Sequence, residues 1–440
     1  MNQKPTKTIL WTIVFFLLIF LPIVLLFIFP YPEERTFLRE ASVIIGFVAM
    51  SLMGFQLIPT SRVRLVARNF PLEKFYDVHH KLSIISAVLV LLHPILLFFD
   101  GVPLRILNIF AESSSWRIQS AVLSVVAVII LIITSVWRKP IKLRYDIWRY
   151  LHNLMTYLAV GLGLWHMFIV NRYLAHPVNK VVWIGLTALW VLMILIVKLI
   201  KPLMLAQKPY AVKIIKQERN SSWSLELQPV GHPGFKYSAG QFAWISTKSP
   251  LVYNENPFSF SSNADVTDGS FSLTIKELGD FTAKIKQLKP GDRVFVDGPY
   301  GSFSVDKFAC RQIVFIAGGI GSAPVMSMLR TLASRKDERQ IIFVYGNPGY
   351  EDIIYREELE TLQKQLNLKL IHVLENPPAD WQGEQGYITQ SILARHLPEN
   401  YKDWIYFLCG PLPMTNAVGK CLHALHIPEK HIHLEKYEMA

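Results

Sequence analysis

Hydrophobic positions fall into two regimes along the chain. Up to about residue 200 they form long runs, at residues 8–29, 41–58, 78–99, 118–137, 148–170 and 181–200, with the charged residues gathered in the connections. Each run is close to the ~20 residues that a helix needs to cross the hydrocarbon core of a bilayer. Beyond Lys201-Pro202 the runs shorten to strand length, at 211–215, 242–246, 271–276 and 293–296, punctuated by Gly, Pro and Asn. That spacing predicts a small antiparallel barrel. From about Arg311, apolar strands at 313–317, 341–345 and 404–409 alternate with helix-like stretches at 323–334 and 355–366, which predicts a parallel sheet of α/β type. The expected fold class is a multidomain membrane protein: a six-helix transmembrane bundle over 1–204, an antiparallel β-barrel over 205–306 and an α/β domain over 307–440.

Composition narrows the class. Of 440 residues, 51% are hydrophobic and 18% charged, against the roughly 25% charged of soluble globular proteins. Disorder is excluded and a purely soluble enzyme disfavoured. Lys4 and Lys7 precede the first run as in a signal peptide, but the run exceeds the roughly 7–15 residues of a signal's apolar core. No small-residue cleavage site follows it at 29–34, so it reads as a retained anchor. The excess of 45 Lys+Arg over 33 Asp+Glu concentrates in alternate connections: Arg62, Arg64, Arg68 and Lys74, then Arg138, Lys139, Lys142, Arg144 and Arg149. By the positive-inside rule both termini and these loops face the cytosol of a plasma membrane. The basic excess is then topological; the bilayer, and no nucleic acid, is the expected partner. The three cysteines, Cys310, Cys409 and Cys421, form no C-x-x-C pair, so a disulfide scaffold, a zinc site and an iron–sulfur cluster are unsupported.

Histidines interrupt the third and fifth runs: His79, His80 and His93 in one, His152 and His166 in the other. Ionisable groups at membrane depth are costly and mark sites more often than chance, although a single imidazole there usually only bonds a neighbouring helix. At ~1.5 Å per residue, His80 to His93 and His152 to His166 each span about 20 Å. Two levels of paired imidazoles follow, His80/His152 and His93/His166, and imidazole on both sides is axial ligation for an electron-passing haem. Fourteen steps at about 100° bring His152 and His166 within ~40° of one face. The same fourteen separate His79 from His93, whereas His80 to His93 is thirteen steps and ~140° off, so a straight helix favours His79 and a kinked one admits His80.

In the second half, Asn256-Pro257-Phe258-Ser259 places an aromatic and a hydroxyl on a strand, suited to a flavin ring. Gly279-Asp280-Phe281-Thr282 precedes a helix-like stretch whose amides could hold a pyrophosphate. Residues 297–301, Asp-Gly-Pro-Tyr-Gly, read as a tight turn. The strand at 313–317 runs into Gly318-Gly319-Ile320-Gly321 and a helix, which lets a dinucleotide phosphate approach the backbone, though the G-x-G-x-x-G spacing is not met. The last strand ends in Cys409-Gly410-Pro411, placed for a nicotinamide or simply a turn.

In this order the motifs resemble the ferredoxin-NADP reductase superfamily. Behind membrane helices with paired histidines, the chain from about Ala41 onward is similar to the ferric reductase and NADPH oxidase family, most of all to its short bacterial NOX-like members. The resemblance implies FAD, two b-type haems and NADPH or NADH as electron donor. It matches the inner-haem histidine with its following basic residue to His80-Lys81, and the other ligands to His93, His152 and His166. Phe258 and Ser259 correspond to isoalloxazine contacts, Gly279 and Thr282 to the flavin-phosphate turn, and Gly318, Gly319 and Gly321 to the nucleotide phosphate loop. Cys409 and Gly410 correspond to the loop beside the nicotinamide. His433-x-Glu435-x-Tyr437 resembles the closing segment whose aromatic, here Tyr437, covers the flavin; Cys409, Tyr437 and Ser259 are the expected catalytic set.

The chain departs from the pattern at Asn256, where the family has a cation, at Pro348, where it often has Arg, and at Leu97, where oxidases often have a further histidine. The expected function is transmembrane electron transfer from cytosolic NAD(P)H to a small extracytoplasmic acceptor, oxygen or a ferric chelate. Two rival readings are a haem-containing membrane subunit serving a partner protein and, more weakly, a transporter with a regulatory domain.

Overall fold

The computed structural model describes residues 5–30, 33, 35–61, 72–111, 114–252 and 255–436. Tyr437 and the basic residues Arg62, Arg64 and Arg68 lie outside these residues. The chain divides after Lys201 into two compact units.

The first unit is helical: α1 (Pro5–Ile28), α2 (Phe37–Phe55), α3 (Leu72–Phe99), α4 (Trp116–Val136), α5 (Tyr145–Val170) and α6 (Pro177–Leu195). A π-turn, Ile196–Ile200, and a last turn of helix extend α6 to Ala206. Among the described residues five helices are long and apolar enough to cross a membrane; in α1 the apolar part described is the shorter Thr12–Ile28. The sixth expected span corresponds to α1. Apolar side chains such as Ile84, Val88 and Ile95 of α3 point outward, as helices surrounded by lipid require.

Small residues set how closely these helices approach, since apolar faces gain little from each other in lipid. A Cβ on Gly54 of α2 would stand 2.3 Å from the Trp190 ring of α6, and one on Gly163 of α5 would stand 2.3 Å from the Met50 methyl. The Ser124 hydroxyl of α4 donates to the Ala159 carbonyl of α5 at 2.8 Å.

The second unit holds two sheets. The first contains β1 (Tyr210–Glu218), β2 (Ser222–Pro229), β3 (Phe242–Ser246), β4 (Glu255–Ser259), β5 (Phe271–Lys276) and β6 (Arg293–Tyr300), in the order β4-β3-β6-β1-β2-β5. All its pairings are antiparallel. The end strands are joined through an isolated bridge, Phe260 to Leu273, with the Ser261 amide donating to the Ser272 carbonyl at 2.8 Å beside it, so the expected antiparallel sheet is present without a continuous ladder closing it into a barrel. Residues 297–300, expected as a turn, continue β6.

The second sheet contains β7 (Gln312–Gly318), β8 (Gln340–Asn347), β9 (Leu368–Leu374), β10 (Glu384–Gln385), β11 (Ile405–Gly410) and β12 (Ile432–Lys436), all parallel, in the order β10-β9-β8-β7-β11-β12. Helices α7 (Ser322–Ser334), α8 (Arg356–Gln365), α9 (Gln390–His396) and α10 (Leu412–Ala424) cover it. Strand alternation assigns the faces: Ile313, Phe315 and Ala317 pack with Val325 and Leu329 of α7 and Leu359 of α8. Val314 and Ile316 pack with Leu393 of α9 and Val418 of α10. This is the doubly covered sheet that near-continuous apolar strands predict.

Candidate functional site

In the membrane unit, the ring facing His152 of α5 belongs to His79 of α3, with centroids 6.4 Å apart and planes crossing at 66°. His80, one residue on, is exposed. The Nδ1 atoms of His79 and His152 are buried without a hydrogen-bond partner. Toward the other ends of these helices stand His93 and His166. His93 Nδ1 lies 2.8 Å from the Ser42 carbonyl and 2.9 Å from its hydroxyl, and His166 Nδ1 lies 2.8 Å from the Arg117 carbonyl. A carbonyl partner makes Nδ1 the protonated nitrogen and leaves the Nε2 lone pair free, the arrangement that orients metal-ligating histidines. Gly46 permits the approach, because a Cβ there would stand 3.1 Å from His93 Nδ1.

These rings fit an axial pair. With a metal–imidazole bond of about 2.0 Å and a ring centre about 1.1 Å behind the nitrogen, two rings on one ion have centres roughly 6.2 Å apart. The His79–His152 separation is within that range.

In the soluble unit, Asn256, Pro257 and Phe258 are half-buried on β4 and Ser259 is buried at its end. The Phe258 ring stacks on Phe281 at 5.8 Å and 21°. The Gly279–Thr282 turn is pinned by the Thr282 hydroxyl, which accepts from the Leu278 and Gly279 amides at 2.8 and 2.9 Å. The helix-like stretch expected after it is a short 3-10 helix, Thr282–Gln287. The Ser259 hydroxyl donates to the Glu435 carboxylate at 3.5 Å; Glu435 is buried on β12. Sequence reasoning did not single out Glu435 as a site residue, since a carboxylate in a terminal segment carries no signal without its partner.

The two glycine-containing loops of the nucleotide sheet come together. The chain moves outward from β7 through β8 to β10, then returns to place β11 on the other side of β7. Loops after β7 and β11 therefore flank the crevice where the strand order reverses, the usual ligand site of such sheets. Gly318, Gly319 and Gly321 form one wall, and Cys409, Gly410 and Pro411 the other. Gly319 takes the left-handed φ of 51°. A Cβ on Gly321 would stand 2.4 Å from the Cys409 carbonyl oxygen and 2.8 Å from Gly410 Cα. Gly321→Ala must push these backbones apart, and is expected to destabilise the protein by about 1–3 kcal/mol; a thermal melt of the purified variant checks this.

The buried Tyr345 hydroxyl donates to the Gly319 carbonyl at 2.9 Å, bracing the loop from below, and burial pushes its ionisation upward. Helix α7 ties the flavin strand to the same loop. Its Ser327 hydroxyl donates to the Ser262 carbonyl at 2.7 Å, its Thr331 hydroxyl accepts from the Ala264 amide at 2.9 Å, and its Arg330 guanidinium donates to the Ser261 carbonyl. Arg330 also forms a two-point pair with Glu358 at 2.7 and 2.6 Å. None of these ties was legible in sequence, because each joins residues tens of positions apart.

Comparison with known proteins agrees with this division. Residues 45–163 match the family described as ferric reductase like transmembrane component, 210–304 an FAD-binding domain and 315–420 an oxidoreductase NAD-binding domain. The chain is 37% identical over 164 residues to NADH-cytochrome b5 reductase 1 of Mortierella alpina, covering 36% of this chain and 54% of the relative. It is 34% identical over 184 residues to the protein of that name in Aspergillus terreus, covering 40% and 61%. The chain thus spans little more than half the length of these relatives. Among solved structures, the flavohem-like FAD/NAD binding domain of nitric oxide dioxygenase from Vibrio cholerae matches at 22% identity and a TM-score of 0.47, over 52% of this chain and 98% of that one.

Part by part, the chain is therefore similar to a ferric-reductase-like transmembrane component, an FAD-binding domain and an oxidoreductase NAD-binding domain, in that order.

Proposed function

We propose that the chain moves electrons from NAD(P)H on the cytosolic side, through FAD and two b-type haems, to an acceptor beyond the membrane, oxygen or ferric iron. The observation that carries this reading is the pair of histidine levels on α3 and α5: His79 facing His152 at 6.4 Å, and His93 and His166 each held at Nδ1 by a backbone carbonyl. The inner ligand is assigned to His79 in place of His80. Positive-inside charge supports cytosolic termini.

FAD takes two electrons from nicotinamide at once and gives them up singly, which one-electron acceptors require. Asn256, Phe258, Ser259 and the Gly279–Thr282 turn would hold it, and the Gly318–Gly321 loop would hold the dinucleotide. The Ser259–Glu435 contact orients the hydroxyl at the end of the flavin strand. Cys409 at the end of β11 borders the crevice, so Cys409→Ala is expected to lower the rate of flavin reduction about tenfold while FAD content stays constant. Stopped-flow reduction under anaerobic conditions reads both. Tyr437 is retained as the proposed aromatic cover on the resemblance alone. NADH in the names of the curated relatives supports its use as donor here.

The testing experiment is anaerobic addition of NADH to the purified chain in nanodiscs, followed by oxygen or a ferric chelate. Successive flavin and haem reduction, then reoxidation by either acceptor, is the expected result. Haem that stays oxidised while flavin is reduced would overturn the route. Reduction without reoxidation would direct attention to a partner protein.

A further inference from the structure

The flavin sheet reaches across to the nucleotide loop through the turn between β1 and β2. Glu218 pairs with Ser222, leaving Arg219, Asn220 and Ser221 as the connection. Asn220 and Ser221 take left-handed φ values of 56° and 49°, a conformation that Asn tolerates better than most side chains. The turn is anchored on both flanks. Arg219 pairs with Glu357 of α8 at 2.8 Å and approaches Glu351 at 3.7 Å, and the Ser221 carbonyl accepts from the Glu277 amide at 2.9 Å.

This anchoring puts the Asn220 side chain over the phosphate loop. The nearest atom to a Cβ built on Gly319 is Asn220 Nδ2, at 4.0 Å, and nothing else lies within that distance. Nδ2 is itself buried and without a hydrogen-bond partner. An N–H donor shut away from water needs an acceptor. The gap between this donor and the amide-bearing loop at the head of α7 suits an anion with several acceptor oxygens.

We propose that Asn220 is a pyrophosphate ligand for NAD(P)H, lent by the flavin sheet to the nucleotide loop, so that the dinucleotide is clasped from both domains. The proposal rests on the reading of the β7/β11 crevice as the nucleotide site. A contact from the flavin side ties phosphate position to flavin position, and so sets how far the nicotinamide extends toward β4.

FAD also contains a pyrophosphate, and the test separates the two. The full chain, purified in nanodiscs, is titrated with ADP-ribose by calorimetry, and bound FAD is counted by absorbance. Asn220→Gly keeps the left-handed turn while removing the amide; Asn220→Asp keeps the turn and sets a carboxylate against the phosphates. ADP-ribose Kd is expected to rise about fivefold for Gly and at least about twentyfold for Asp, with FAD content and Tm unchanged. Wild-type Kd in both variants, or a loss of FAD instead, overturns the assignment. A wild-type chain that binds FAD but not ADP-ribose overturns the nucleotide reading beneath it.

Discussion

Purified His79→Ala is expected to hold about one haem per flavin where the parent chain holds about two, while His80→Ala keeps both. The ring opposite His152 is that of His79, and the His79 and His152 Nδ1 atoms are buried and unpartnered. His80 is exposed, so its loss removes nothing from the space between α3 and α5. Helical phase agrees, since fourteen residues separate both His79 from His93 and His152 from His166, and a common step keeps both levels on one face of each helix. His93→Ala and His166→Ala should each remove the other haem. Pyridine haemochrome against flavin absorbance reads all four variants, with NADH reduction of the flavin as the control for folding. Full haem content in His79→Ala, or loss in His80→Ala, would return the inner ligand to His80.

That one-residue ambiguity shows how far the sequence was legible. Period and phase alone favoured His79, while the resemblance, which places a basic residue after the ligand, favoured His80, because Lys81 follows it. Apolar run length predicted the spanning helices from 37 to 206, and strand alternation predicted the two covered faces of the nucleotide sheet. Gly298-Pro299 was misread as a turn for a physical reason. The β3–β6 register shifts between Phe242 and Trp244, which pair with Tyr300 and Asp297. Gly298 and Pro299 sit in that irregularity, where proline does not interrupt a ladder bond, and a Cβ on Gly298 would stand 2.7 Å from that of Ala243. Composition could not distinguish a bulge inside a strand from a turn between two. The glycine loops at 318–321 and 409–411 were each legible, but their meeting was not, because it depends on β11 returning beside β7. Glu435 and Ser259 lie 176 residues apart, and no local pattern links them.

NADH is expected to match or exceed NADPH in kcat/KM. The 2′-phosphate of NADPH is near a dianion at pH 7, and sheets of this kind read that position just beyond their second strand. Here the strand is β8, followed by Pro348, which has no N–H to donate. Arg356 is the nearby cation, but it is committed: its guanidinium lies 4.1 Å over the Tyr350 ring and donates to the Tyr350 carbonyl at 3.3 Å and Glu351 at 3.1 Å. Arg219 is held by Glu357, whose carboxyl it brings down to about 2. A phosphate arriving here meets the exposed carboxylates of Glu351 and Glu357 and cations already paired. A ribose 2′-hydroxyl can instead donate to a carboxylate, which is the usual basis of NADH preference. Measuring kcat/KM for both donors at one ionic strength decides the matter. A hundredfold preference for NADPH, about 2.7 kcal/mol, would mean that a cation leaves its partner to bind the phosphate. Glu351→Arg should move the ratio toward NADPH, because it removes a carboxylate, takes one acidic partner from Arg356 and adds a guanidinium at the same point.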